Sequence, residues 1–397
     1  MKQPLYRIRQ SGFTLIELMI SMVIGLLILL ALITLLVNVS RNNSEMSKTN
    51  RIIENGRFAL QILQADISHA GYWGGYVPQF DDLSLTAIPN DVPTAVPDPC
   101  LAYASWNAAY ISNLIGMAVQ SYEIPAVVPS PTLSVCASRI TSPQKSTDVL
   151  VVRHAESCVP GEGNCPVYNA GNLYLQVARN GTAAPSPAYV LSDDASLRIL
   201  QKRDGTTAEL RKFISNLYYV RNYSVTPGDG IPTLMRSQFR LASGVLSHKS
   251  AESLIEGVEG FRVEFGVDNI SDASKNIITG ANADGTISPA NLHSAAISWA
   301  VTTPANTSPI NRGDGSPDGA YIHCTTLIPC TAAQLMNLVA VKLYVLVRSD
   351  VVTPGYTDVK TYNLGSTTLG PFNDGFKRHL FTQTIRLVNV STRRETP

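Results

Sequence analysis

Two patterns of apolar positions divide the first part of this chain. From Phe13 to Val37 the apolar residues leave no polar face, 25 residues of mostly Leu, Ile, Val and Met. At about 1.5 Å per helical residue that run is long enough to span a bilayer. Further on, Ile53, Leu60, Leu63 and Ile67 recur at helical spacing while Glu54, Asn55, Gln61 and Ser68 fall on another side. This stripe predicts a helix able to lie against a sheet. No proline occurs between Pro4 and Pro78, so one helix is expected from Phe13 to Ala70, ~87 Å if unbroken. Gly25 and Gly56 are its weak points, each costing roughly 1 kcal/mol relative to Ala. Gly71-Tyr72-Trp73-Gly74-Gly75 ends the pattern and turns the chain.

From Asp148 onward the periodicity becomes that of strands. Those expected are Val149–Arg153, Leu173–Val177, Leu217–Tyr223, Leu234–Phe239, Leu254–Val267, Val339–Arg348 and His379–Val390. In the last two, β-branched and aromatic residues dominate, which favours paired strands. Residues 78–145 are rich in Pro, Ala, Ser and Asn and are expected to form a loop-dominated insertion. No internal repeat of fixed period is present. The fold class is α+β, a long N-terminal helix packed on an antiparallel sheet with long loops. The expected divisions are a leader at 1–12, a membrane segment at 13–37, and its amphipathic continuation and turn at 38–77. The insertion at 78–145 and a β-rich extracytoplasmic domain at 146–397 follow.

One side chain conflicts with an ordinary membrane anchor. Between Gln10 and Ser40 the only formally charged residue is Glu17, five residues into the apolar run. A carboxylate there costs a few kcal/mol on insertion scales, so its presence calls for a function. A cleaved signal would be shorter, and no small-residue cleavage site follows. Charge does not fix the orientation, because Lys2, Arg7 and Arg9 precede the span while Arg41, Lys48, Arg51 and Arg57 follow it.

Composition narrows the class further. Net charge is +1 and charged residues make up 15%, which argues against a polyanion-binding protein and suits an extracytoplasmic, loop-rich β protein. Loss of the basic leader would leave the chain about neutral. All six cysteines lie beyond the apolar segment, and an even count in an oxidising compartment reads as up to three disulfides. The close pairs Cys158–Cys165 and Cys324–Cys330 would each clip a loop, leaving Cys100 with Cys136. This is the simplest of the 15 or so pairings six cysteines permit.

The run Gly12-Phe13-Thr14-Leu15-Ile16-Glu17-Leu18 resembles the leader junction of type IV prepilins. Glu54-Asn55-Gly56-Arg57-Phe58-Ala59-Leu60, followed by Asp66-Ile67 and Ala70-Gly71-Tyr72-Trp73-Gly74, resembles the PilW family of minor pilins. Residues 257–268, 341–350 and 381–389 fit that family's later strands less specifically. Many major pilins carry a proline within the hydrophobic helix; this chain has none.

The resemblance implies a pilin-like fold. A prepilin peptidase would cut after Gly12, where a residue without Cβ allows close approach to the backbone, and would N-methylate Phe13. Glu17 would pair with such an amine during assembly. Implied partners are other minor pilins and the major pilin, the prepilin peptidase, an inner-membrane assembly platform, and lipid before assembly. The implied role is starting the type IV pilus and capping its tip, in support of motility and adhesion. The implied location is the bacterial inner membrane, amino terminus in the cytoplasm and bulk in the periplasm, and then the cell surface. The alternatives are a minor pseudopilin of a type II secretion system, or a tip adhesin or DNA-uptake component.

Other chemistry is weaker. There is no GxSxG, HExxH, Walker loop or GxGxxG, so no enzyme is expected. His154 near Cys158 and His323 beside Cys324 are candidate zinc ligands, but their spacing is wide and the compartment favours disulfides. Asp268–Asp272 and Asp314–Asp318 offer clustered oxygens without the terminal Glu of a calcium loop. Solvated turns are the expectation, with calcium the one cofactor in view. Arg312-Gly313-Asp314 reads as a turn rather than an integrin motif. Val23, Leu26, Leu27, Leu30 and Ile33 would contact lipid and then neighbouring helices. Trp73, Trp106 and Trp299 are expected to be core or interface residues. No basic stripe with interleaved aromatics is present, and no nucleic acid is expected.

Overall fold

The computed structural model describes residues 12, 14–82, 89–127, 136–178, 187–242, 244–268, 270–271, 295–296 and 313–394. It divides into two compact units, Met1–Arg51 and Ile52–Pro397. Helix α1 is Leu15–His69, uninterrupted across its 55 residues. Its part in the first unit is long and apolar enough to cross a bilayer, and every large hydrophobic from Leu15 to Val39 is exposed.

In the second unit the remaining turns of α1 pack through a narrow stripe. Ile52, Gly56, Ala59, Leu63, Ile67 and Ala70 are the buried positions, at spacings of three and four. The expected stripe was one residue out at its start: Ile53 is exposed and Ile52 buried. Small residues explain the rotation. A Cβ built on Gly56 would overlap the Phe381 ring, so the glycine read as a weak point is where helix and sheet approach most closely. Gly71 ends the helix at φ +74°, a backbone conformation glycine adopts without strain.

The rest of the unit is built on antiparallel sheets. Helix α2 (Ala108–Gly116) is capped by Asn107, whose side chain accepts from the Tyr110 amide. It leads into β1 (Val119–Ile124), β2 (Thr147–Ala155), β3 (Tyr174–Val177) and β4 (Tyr189–Ser192). There follow β5 (Leu210–Arg221), β6 (Thr233–Ala242), β7 (Val245–His248), β8 (Glu252–Glu256) and β9 (Val258–Val267). A two-residue ladder joins β10 (Ile270–Ser271) to β11 (Ala295–Ala296). The chain closes with α3 (Ala332–Met336), β12 (Leu338–Arg348), β13 (Tyr362–Leu364), β14 (Thr367–Leu369), β15 (Arg378–Arg386) and α4 (Val388–Ser391).

Among the described residues the larger sheet has eight strands in the order β1-β2-β5-β3-β4, with β6 on the edge of β5 and β7 and β8 on β6. A second sheet runs β15-β12-β9. The main apolar core gathers Leu63, Ile67 and Trp73 with Phe213, Tyr218, Phe261 and Val341. Disulfides join Cys100–Cys136, Cys158–Cys165 and Cys324–Cys330, the pairing suggested by spacing.

Three expectations for elements need correction. Residues 78–145 are not merely loops: they contribute α2 and β1, the latter paired along its length from Val119↔Val152 to Ile124↔Thr147. Leu254–Val267 is two strands rather than one. Gly257 breaks it at φ +80°, and a Cβ there would sit 2.7 Å from the Arg348 carbonyl oxygen. His379–Val390 is a strand only to Arg386, after which the Leu387 amide donates to Val339 and the chain coils into α4.

Candidate assembly site

At the start of α1, Thr14 and Glu17 form a closed pair. The Glu17 Oε2 atom accepts from the Thr14 amide at 3.0 Å and from its hydroxyl at 2.9 Å. The Glu17 amide donates to Thr14 Oγ1 at 3.4 Å, and the Leu18 amide donates to the Thr14 carbonyl. This is the reciprocal arrangement of a capping box, which satisfies two otherwise orphaned helix donors. The acid also lies in the first turn, where the helix dipole favours it. The sequence reading missed Thr14, although a Thr-x-x-Glu opening an apolar run is a recognisable signal. Gly12 is exposed, and a Cβ there would meet nothing within 4 Å. Phe13 lies outside the described residues. Val23, Leu26, Leu27, Leu30 and Ile33 are all at least half exposed.

In the second unit the motif around Gly56 to Gly74 is read out residue by residue. Arg57 is exposed, and Phe58 is half exposed, beside the buried Gly56 and Ala59. Asp66 is a hub between helix and sheet. It accepts from Asn216 Nδ2 at 3.0 Å to each oxygen, from the Tyr218 hydroxyl at 2.9 Å, and faces His154 Nε2 at 2.9 Å. Burial, reinforced by the Asp66 charge, pushes the Tyr218 hydroxyl well above its usual pKa, so it stays a donor. Past the helix, the Gly71 amide donates to Arg153 and the Tyr72 carbonyl accepts from Ala155. Trp73 Nε1 donates to the Ile115 carbonyl at 3.0 Å, making Trp73 a core residue that anchors the turn.

The candidate metal ligands have other partners. Cys158 and Cys324 are in disulfides. His154 binds Asp66, and His323 Nε2 lies 3.1 Å from both oxygens of buried Asp148, which also takes Arg262 Nη1 at 2.8 Å. Around the second acidic loop, Asp314 Oδ1 accepts from the Ser316 amide within a local turn, and buried Asp268 Oδ2 accepts from the Gly315 amide, tying that loop to the end of β9. Asn269, Asp272, Arg312 and Trp299 lie outside the described residues. Trp106 is partly buried, with its indole nitrogen on the Leu101 carbonyl.

Comparison with known proteins fits this geometry. Residues 7–33 match the prokaryotic N-terminal methylation motif, a stretch that contains Gly12, Phe13, Thr14 and Glu17. Residues 217–389 match the family described as Type IV Pilus-assembly protein W, from the middle of β5 to α4. A type IV-like pilin from Thermus thermophilus is 11% identical over 86% of this chain and 98% of its own, with a TM-score of 0.31. No curated protein matches the chain. Methylation motif, apolar helix and antiparallel sheets define a type IV pilin-like protein, a structural class rather than an enzyme class. Within that class, its residues 217–389 are similar to the PilW family.

Proposed function

We propose that this chain is a minor pilin that takes part in starting a type IV pilus and sits at its tip. The carrying observation is a lone carboxylate, Glu17, at the head of an apolar helix inside the matched methylation motif. In this reading a prepilin peptidase removes residues 1–12 and methylates the Phe13 amine, which keeps its positive charge. The subunit waits in the inner membrane with its bulk in the periplasm. On docking, Glu17 exchanges its Thr14 partners for the amine of a neighbouring pilin. In low dielectric that attraction is far stronger than in water and offsets part of the desolvation of both groups. The partners are the major pilin, other minor pilins and the assembly platform.

The test is a pair of variants in cells with an active pilus system. Because Gly12 has open space around it, Gly12→Leu leaves the subunit itself undisturbed; it is expected to accumulate as the longer precursor on an immunoblot. Glu17→Ala is expected to be cleaved normally yet to reduce surface pili and twitching. Normal piliation with Glu17→Ala would defeat the charge-pairing account.

A further inference from the structure

β5 and β6 part company midway. They are paired from Arg221↔Thr233 to Asn216↔Gln238. Beyond that point β5 pairs with β3, at Tyr174↔Lys212 among others, while β6 pairs with β7, starting at Phe239↔His248. Residues 171–173 close the far side: the Phe213 amide donates to Leu173 and the Leu241 amide to Gly171. The fork leaves a cleft of about 430 Å³, within the size range of small-ligand sites.

Its lining has one sign of charge. Among the described residues, Lys212, Arg240 and Lys249 line it with the carboxamides of Asn172, Asn216 and Gln238, and no Asp or Glu does. Among the described residues none of the three cations has an ion-pair partner. Asn216 is 5% exposed, and its Oδ1 has no hydrogen-bond partner among the described residues. Its Nδ2 is held by Asp66, whose oxygens are also engaged by Tyr218 and His154, so that charge is already neutralised in part by donors.

Unpaired cations beside carboxamides suit a ligand with both a carboxylate and hydroxyls. A guanidinium grips a carboxylate with two parallel hydrogen bonds, and a carboxamide offers a donor and an acceptor to neighbouring hydroxyls. Single-stranded nucleic acid would need a free aromatic face for its bases. Among the described lining residues the one ring, Phe239, is 5% exposed and packed on Trp106 and His248 at 5.0 and 5.6 Å. We propose that the cleft binds an acidic saccharide, a short uronate segment, with its carboxylate on the cations and its hydroxyls on the carboxamides. This goes beyond the assembly role and does not depend on it.

The experiment is calorimetric titration of the full chain in detergent micelles. The probes are digalacturonate, dimannuronate, the methyl ester of digalacturonate, inorganic phosphate and a short oligothymidylate. At least one uronate is expected to bind, and the preference between the two separates a plant-type from a bacterial-type polysaccharide. Masking the carboxylate as the ester, or substituting Arg240→Gln or Lys212→Gln, should weaken binding by about tenfold or more, while Arg240→Lys, which keeps the charge but loses the two-bond fork, falls between. Arg240 is exposed, and an unchanged melting curve certifies each variant; the ester comparison uses the unaltered chain and stands regardless. Absence of uronate binding at millimolar concentration, equal binding of the ester, or tighter binding of phosphate or oligothymidylate would overturn the assignment.

Discussion

His248 is wholly buried between two serines. Its Nε2 lies 3.3 Å from Ser215 Oγ and its Nδ1 3.2 Å from Ser237 Oγ. Burial, with Arg153 and Arg139 adding positive potential, brings its pKa down from 6.5 to about 3. The folded protein therefore keeps this imidazole neutral where the unfolded chain would protonate it. The associated stability is complete above pH 6.5 and is lost as pH falls toward 3, by at most about 1.4 kcal/mol per pH unit. His248→Gln is expected to flatten the acid side of a melting temperature against pH profile relative to the unaltered protein; parallel profiles would contradict this. A single residue was also the clearest signal in the sequence. Glu17 stands out because a charge inside an apolar run is a local anomaly, legible without any fold. The Asp66 hub is not local: its partners lie 88 to 152 residues away, and only the packed sheet brings them together.

Among elements, the contact of α1 with β15 rests on an absence of bulk. Gly56 lets the Phe381 ring lie against the helix. Ala is the better helix former by about 1 kcal/mol, yet its methyl group would overlap the ring. Gly56→Ala is thus expected to destabilise the protein by about 1–3 kcal/mol in denaturant unfolding. Combining it with Phe381→Leu should recover part of the loss; a stabilised Gly56→Ala would show that helix propensity prevails. The same contact explains why periodicity placed the stripe one residue out. Hydrophobicity alone favours Ile53, but the sheet selects the face carrying the small residues. Strand existence was legible from β-branched runs, whereas the break at Gly257 was not, since it depends on the Arg348 carbonyl across the sheet. α2 and β1 were hidden because both are short, nine and six residues, within a stretch rich in Pro, Ser and Asn, and β1 is stabilised by β2 rather than by its own pattern.

At the scale of the whole second unit, residues 387–394 return to where α1 ends. Asn389 Nδ2 donates to the Ser68 and Ala70 carbonyls at 3.2 and 3.3 Å, and Arg393 Nη2 to Gly71 at 2.6 Å. Arg394, fully buried, reaches Asp81, the Met336 carbonyl and the Asp268 carbonyl. Arg394→Met would leave Asp268 buried without its cation and empty the carbonyl contacts of the guanidinium, at a cost of about 3–5 kcal/mol. A clear fall in the denaturant midpoint is expected, and an unchanged midpoint would show that this junction contributes little. The junction also imposes an order on maturation. The carbonyls at the helix end cannot be tied off until a segment more than three hundred residues downstream has been made. A chain halted partway through synthesis would therefore carry an open rim at Gly71, and the arrival of that late segment becomes the step that seals the second unit.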